Sequence, residues 1–203
     1  MSKDNWRDSL RAKIAQAREA LAGLPLEELA RRGGGGVEGK TLVLPFFGAP
    51  YRVTWPELRV LAPNGEECPE ELTAMFLDYL LLGDGTDPSG HWIGFRELPH
   101  GGFYFRAFQG YTGDILVREL DFPSFRRAAQ ALGGEPLELG DAAYRFLALP
   151  KLPLAVVWWE GDEEFPPKAT VLFDATAGEY LPAEGLAILG RILCRKLIRA
   201  GKG

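Results

Sequence analysis

The sequence predicts a single-domain α+β fold in which helices pack on an antiparallel or mixed sheet. The chain has 203 residues, of which 46% are hydrophobic and 25% charged, so it has the length and composition of one domain with a buried core. Strand-like segments occur in runs between separated helices instead of alternating with them, which favours α+β over a doubly wound sheet. The sequence contains no internal repeat with a period of roughly 20–50 residues.

The first 32 residues are predicted to form a helical arm that packs on the body or on a partner. The arm consists of a first helix and a second, short helix at 26–32. A glycine-rich joint follows at 33–40, because four glycines in a row hold regular structure only at a high entropic cost, and 41–203 form the α+β body. The first helix carries apolar residues at the helical period of about 3.6, namely Leu10, Ile14, Ala17 and Leu21.

The body is predicted to combine two groups of strands with three helices. The segment 91–108 is dense in aromatic residues, which favour strands, and is expected to form two strands around a turn at 99–102. Residues 83–90 are a glycine-rich loop. The other predicted strands are 41–47, 51–55, 58–62, 142–149, 154–159 and 170–173. The predicted helices are 69–82, 122–132 and 182–199.

Charge and hydropathy exclude several classes of partner. The net charge of −5 argues against nucleic acid, whose binders carry a basic surface. No apolar run approaches the roughly 20 residues that span a bilayer, and the charged start of the chain does not resemble a secretory leader. We therefore expect a cytoplasmic protein that binds neither membrane nor nucleic acid.

The two cysteines exclude metal sites built from thiolates. Cys68 and Cys194 lie far apart, and the sequence contains no C-x-x-C pair. An iron–sulfur cluster or a four-thiolate zinc site therefore cannot be bound by this chain alone. Cys194 falls on the apolar side of the last predicted helix, where a cysteine acts as a small hydrophobic residue.

A phosphate-loop pattern occurs in the glycine-rich joint. Gly34, Gly39, Lys40 and Thr41 match G-x-x-x-x-G-K-[ST], and Asp174 ends a predicted strand as an acidic magnesium ligand would. The motif requires a strand before it and a helix after it, whereas here a helix precedes it and strand-like residues follow. We interpret the match as a decoy, with an NTPase as the less favoured alternative.

Two strings are distinctive, W-x-x-F-R-E-L at 92–98 and G-D-E-E-F-P-P at 161–167. With their neighbours, over residues 40–200, they resemble a family of small proteins of anaerobic bacteria and archaea known only as a domain of unknown function. Some members carry the domain behind a cysteine-rich iron–sulfur module, which this chain lacks, so any electron-transfer role would need a separate redox-protein partner. It implies no established activity but directs attention to Trp92, Phe95, Arg96 and Glu97, and to Asp162, Glu163, Glu164 and Phe165.

The aromatic segment is the first candidate ligand site. His91 could be an axial ligand of a tetrapyrrole such as haem, or could join Asp84, Asp87 and His100 in a mixed metal site. The alternative is a histidine in a surface turn. The aromatic residues could likewise line a pocket for a flat ligand or cofactor, or form an ordinary core. They are Trp92, Phe95, Phe103, Tyr104, Phe105, Phe108 and Tyr111.

The acidic loop is the second candidate. Asp162, Glu163 and Glu164, with Asp174, could hold a divalent cation, since carboxylate oxygens are the ligands that hard cations prefer. The alternatives are a solvated turn, or a structural pairing of these carboxylates with Arg96.

These observations favour a non-catalytic ligand- or cofactor-binding accessory module in anaerobic cofactor or redox metabolism. The alternative is a divalent-cation-dependent enzyme that uses the loop at 162–164, and the NTPase is less favoured still. A further alternative is a subunit that binds a partner through the N-terminal arm. Nucleophilic hydrolysis is poorly supported, because the sequence has no G-x-S-x-G motif.

Overall fold

The structure, a computed structural model, describes residues 3–203. It confirms the α+β class, since 47% of the chain is helical and 24% is strand, and helices pack with antiparallel sheets. Two compact units can be distinguished. Unit 1 contains the chain up to Asp87 with Leu149–Lys151 and Glu179–Leu181, and unit 2 contains Pro88–Ala148, Leu152–Gly178 and Pro182–Gly203. Within residues 3–203, no helix combines the length and apolar character needed to cross a bilayer.

Unit 1 contains an antiparallel meander and three helices. Its sheet runs β1-β2-β3-β4 in chain order, as short strands separated by Gly- and Pro-containing turns favour. The predicted strands in this region are confirmed. The helices are α1 (Lys3–Ala22), α2 (Leu26–Gly33) and α3 (Glu70–Leu82), and the strands are β1 (Gly36–Glu38), β2 (Thr41–Phe46), β3 (Ala49–Thr54) and β4 (Val60–Leu61).

Helix α1 packs on α3 through the apolar stripe that the sequence predicts. Ile14, Ala17 and Leu21 are buried. Beside this stripe, Lys13 Nζ lies 2.6 Å from Asp78 Oδ2, so that the buried carboxylate of α3 has a cationic partner on α1. The predicted helices are confirmed, while the role of residues 1–32 as an arm stays a prediction.

The phenol of Tyr79 connects three segments of unit 1. Its hydroxyl donates to the carbonyl of Gly33 at 2.8 Å and accepts from the backbone N–H of Lys151 at 3.1 Å. Its ring stacks on Tyr180 with centroids 5.2 Å apart, and the Tyr180 hydroxyl donates to the carbonyl of Thr86 at 2.7 Å. Burial raises the pKa of Tyr79, so the phenol remains a protonated donor.

The remaining elements lie wholly or partly in unit 2. They are the strands β5 (Trp92–Gly94), β6 (Glu135–Leu137), β7 (Ala142–Leu149), β8 (Leu152–Trp159) and β9 (Lys168–Asp174), and the helices α4 (Gly101–Tyr111), α5 (Gly113–Glu119), α6 (Phe122–Ala131), α7 (Ala177–Tyr180) and α8 (Ala183–Lys202). The sheet order is β5-β9-β8-β7-β6. Strand β8 is central and is buried from Leu152 to Trp158, which explains its continuous apolar run.

The prediction of two strands within 91–108 is wrong. Only β5 is a strand, and it is followed by a 3-10 turn at Phe95–Glu97 and by helix α4. Phe108 is buried with its ring stacked on Phe95, centroids 4.0 Å apart, and Phe105 lies three residues earlier, on the same side of a helix. This contact with the 3-10 turn outweighs the preference of aromatic residues for strands.

Both cysteines are free thiols in buried positions, Cys68 being 8% exposed and Cys194 1%. Burial raises the pKa of both thiols, and the charge of Glu67 adds to the effect at Cys68. Because the thiolate is the reactive form, we expect both to react with Ellman's reagent about tenfold or more slowly in the native protein than after unfolding in urea. Fast reaction of either thiol in the native protein would contradict this burial.

Candidate functional site

The carboxylate of Asp174, at the end of β9, anchors the loop that leads into β5. Asp174 is fully buried. Its Oδ1 accepts from the N–H and hydroxyl of Ser89, at 3.0 and 2.9 Å, and from the N–H and hydroxyl of Thr176, at the same two distances. Its Oδ2 accepts from the N–H of Gly90 at 2.7 Å. Five donors therefore satisfy this carboxylate within unit 2.

These donors decide the ionisation of Asp174. Burial alone would raise its pKa, but the hydrogen bonds from Thr176 and Ser89 together outweigh burial and hold the pKa below its usual value. The carboxylate is therefore ionised, and both of its oxygens accept hydrogen bonds. An arrangement of this kind fixes a loop, and it leaves Asp174 little capacity to coordinate a cation.

Asp174 is also remote from the acidic loop. That loop joins β8 to β9 and precedes Lys168, whereas Asp174 ends the same strand. Six strand steps of about 3.3 Å separate the two ends of β9 by roughly 20 Å. The structure thus does not bring Asp174 together with Asp162, Glu163 and Glu164.

The acidic loop is a tight turn held by its own first carboxylate. Asp162 Oδ1 accepts from the N–H groups of Glu164 and Phe165, both at 2.8 Å, and the N–H of Asp162 donates to the carbonyl of Phe165 at 2.8 Å. Glu163 and Glu164 are exposed. Within residues 3–203, Arg96 forms no ion pair with this loop, and no three His, Cys, Asp or Glu side chains are arranged to hold a metal. The geometry supports the solvated-turn interpretation.

His91 and Trp92 take part mainly in backbone hydrogen bonds and strand pairing within unit 2. The N–H of His91 donates to the Ser89 hydroxyl at 3.1 Å, and its carbonyl accepts from Ala175 at 2.8 Å. Trp92 is half-buried and lies opposite Asp174 in the ladder between β5 and β9.

The other candidate residues of this segment do not point to a common site. Phe95 is buried in the core, while Arg96 and Glu97 are exposed. Glu97 accepts from the N–H of Gly94 at 2.7 Å and so closes the 3-10 turn. His100 is exposed and has a φ of 64°, which places it in the turn before α4. The predicted ligand residues therefore do not converge on one pocket.

The phosphate-loop pattern spans a helix end and a hairpin. Gly34, with a φ of 67°, terminates α2, and Gly39 with Lys40 forms the turn between β1 and β2. Thr41 begins β2 and pairs with Glu38. A strand thus occupies the place where a phosphate loop has the helix whose free N–H groups hold the anion. This geometry supports the decoy interpretation.

The feature that sequence reasoning missed is an exposed aromatic face of α4. Phe103 is 95% exposed, Tyr104 54% and Tyr111 37%. Ala107 and Gly110 lie between them and are also exposed. At helical spacing these residues form one side of α4, next to the buried Phe108, whose ring the Tyr111 ring meets edge-on with centroids 5.8 Å apart. We call them the α4 aromatic surface: Phe103, Tyr104, Ala107, Gly110 and Tyr111.

Exposed basic side chains occur on α4 and on the 3-10 turn that contacts it. Arg106 on α4 and Arg96 on the adjoining 3-10 turn are exposed, and α4 itself contains no carboxylate. Burial raises the pKa of Tyr111, and the positive charge of Arg191 opposes that effect. A signal for the surface was present in the sequence, because a helical period for Phe105 and Phe108 leaves Phe103 on the opposite side.

Comparison with known proteins adds one assignment. No curated protein and no solved structure matches the chain. The profile of one family matches residues 25–196, which is most of the 203 residues. This coverage shows that the chain belongs to the family described as Domain of unknown function (DUF3786).

Proposed function

We propose that this protein is a non-catalytic accessory module that acts by binding, with the α4 aromatic surface as its binding face. The observation that carries the proposal is the 95% exposure of Phe103 next to the half-exposed ring of Tyr104. Burying one such ring is worth about 1.5–3 kcal/mol, and contiguous exposed aromatic residues are typical of binding sites. The family resemblance points to anaerobic cofactor or redox metabolism as the setting.

The carboxylates favour binding over cation-dependent catalysis. Asp174 accepts five hydrogen bonds, and Asp162 accepts two from its own turn. Five hydrogen bonds use most of the acceptor capacity of Asp174, which leaves it little capacity for a cation. The two bonds to Asp162 Oδ1 hold that carboxylate within its own turn. These two carboxylates therefore support the fold, whereas the Phe103 side chain lies almost wholly in solvent.

The shape of the surface indicates the class of ligand. Sites for small flat cofactors are concave and enclose most of the ligand. The α4 aromatic surface lies on the outer side of a helix, and its rings are open to solvent. Such a face fits the surface of a protein partner, where aromatic anchors supply most of the binding free energy.

The test replaces Phe103 and Tyr104 together with serine. Because both side chains are exposed, folding should be unaffected, whereas binding through this face should weaken about 30-fold or more, as expected for loss of a hot spot worth about 2 kcal/mol. Native mass spectrometry and the ultraviolet–visible spectrum of anaerobically prepared protein would report any bound cofactor, protein or second chain.

A matched control is Leu147→Ser on β7, where a 44% exposed apolar side chain lies outside α4. It should leave every bound mass in place. Equal binding by the wild-type protein and the Phe103→Ser, Tyr104→Ser variant would contradict the proposal, as would a protein of bare mass that carries no ligand at any concentration.

A further inference from the structure

We propose that the partner on the α4 aromatic surface is a second copy of this chain, which docks its turn at residues 162–165 there. The inference rests on the proposed binding role of α4 and identifies the occupant. Two copies exchange these turns reciprocally. Each copy then contributes one turn and one helix to a closed dimer.

The turn presents an aromatic ring in a preorganised form. Phe165 is 66% exposed and is a large apolar side chain at the end of an acidic turn. The carboxylate of Asp162 fixes the turn by accepting the N–H groups of Glu164 and Phe165 at 2.8 Å. Because the backbone is already held, docking of the ring orders little additional chain.

The charges of the two elements are complementary. Glu163 and Glu164 are exposed immediately before Phe165, whereas Arg106 is exposed on α4 and Arg96 on the 3-10 turn that contacts α4. Opposite charges at the edge of an interface steer association and select the partner, while like charges exclude other docking modes. The acidic turn is therefore matched to the basic border of α4.

The shape of α4 leaves room for a ring. Ala107 and Gly110 carry little or no side chain, and a Cβ built at Gly110 would meet no atom within 4 Å. Phe103 and Tyr111 stand on either side of these small residues along the helix. A phenyl ring placed over Ala107 and Gly110 would contact aromatic groups at both ends, in the offset or edge-on arrangements that such pairs prefer.

Two copies related by two-fold symmetry can form a closed dimer through the turn and α4. The turn and α4 both belong to unit 2, so every copy carries both halves of the contact. A two-fold axis that relates the copies makes two identical turn-to-helix contacts and leaves neither half open. The expected species in solution is a dimer with twice the chain mass of 22.4 kDa.

Charge reversal tests the pairing directly. We expect Arg106→Glu and Glu164→Arg each to weaken dimerisation at least tenfold, measured as the dissociation constant by analytical ultracentrifugation, because each change places like charges at both contacts. The variant with both changes restores opposite charges and should recover affinity to within about threefold. Phe165→Ser should weaken the dimer without changing stability. Glu138→Arg, an exposed carboxylate elsewhere in unit 2, is the control.

The outcomes separate this inference from the proposed function. A chain that stays monomeric at all concentrations overturns the second-copy inference. If it binds a different mass that the Phe103→Ser, Tyr104→Ser variant loses, the binding role of α4 stands. A dimer that survives that variant overturns both proposals. A dimer that depends on α4 but is insensitive to Phe165→Ser, with no rescue by the double charge reversal, overturns the docking of the 162–165 turn.

Discussion

Replacing Asp174 with alanine should lower the free energy of unfolding by about 3–5 kcal/mol, measured by urea denaturation. The substitution removes a buried carboxylate that accepts five hydrogen bonds and leaves the N–H groups of Ser89, Gly90 and Thr176 without their acceptor. Bonds to a charged group are worth about 1.5–3 kcal/mol each but are not additive within one cluster, so the total lies well below their sum. A loss below about 1 kcal/mol would contradict the anchoring role.

The conservative variant Asp174→Asn tests the contribution of charge. The amide keeps one acceptor oxygen, so the variant should lie between the wild-type protein and Asp174→Ala. The pKa of Asp174 is lower in the folded protein than its ordinary value of 3.8. Ionisation of this carboxyl therefore stabilises the folded protein above pH 3.8, and this stabilisation is lost as the pH falls through the folded-state pKa. The difference between wild type and Asp174→Asn should therefore be full at pH 6 and shrink below about pH 4. A difference independent of pH would show that charge plays no part.

Gly113→Ala should lower the free energy of unfolding by about 3 kcal/mol or more. A Cβ at Gly113, the first residue of α5, would lie 2.0 Å from the carbonyl oxygen of Ala169 in β9 and 2.4 Å from the side-chain nitrogen of Gln109. That nitrogen already donates to the Ala169 carbonyl at 2.9 Å. Relief of the clash would require α5 to move off the sheet.

Gly110→Ala is the matched control three residues earlier. A Cβ there meets no atom within 4 Å, and Gly110 lies in the last turn of α4. Alanine in a helix is favoured over glycine by about 0.5–1 kcal/mol, so this variant should be slightly more stable than the wild-type protein. The same urea titration compares the two, and equal effects at both positions would refute the close approach of α5 to β9.

Elements whose secondary structure is determined by the local residue pattern could be predicted from the sequence. The stripe of Ile14, Ala17 and Leu21 determines both the helix and its buried side, and β8 is recognisable as a continuous apolar run. The strand after the phosphate-loop pattern, on which the decoy interpretation depends, was also recognisable from the residues that follow Thr41. In each case the deciding information lies within a few positions along the chain.

Elements that depend on distant contacts could not be predicted. The aromatic residues of α4 favour a strand when considered alone, and the helix is selected by the stacking of Phe108 on Phe95. The role of Asp174 was hidden for the same reason, since Ser89 lies 85 residues earlier. An acidic residue at a strand end has the same local pattern whether it binds a metal or anchors a loop.

The bridging phenol of Tyr79 also has a consequence for the order in which the protein matures on the ribosome. The carbonyl that it reaches at Gly33 is synthesised 46 residues earlier, but the amide of Lys151 emerges 72 residues later, and its stacking partner Tyr180 later still. Synthesis of unit 1 therefore begins first, but its last residues are added only when most of unit 2 has been translated. A nascent chain released after Asp87 would lack both Lys151 and Tyr180, so the Tyr79 phenol would have neither its backbone donor nor its stacking partner.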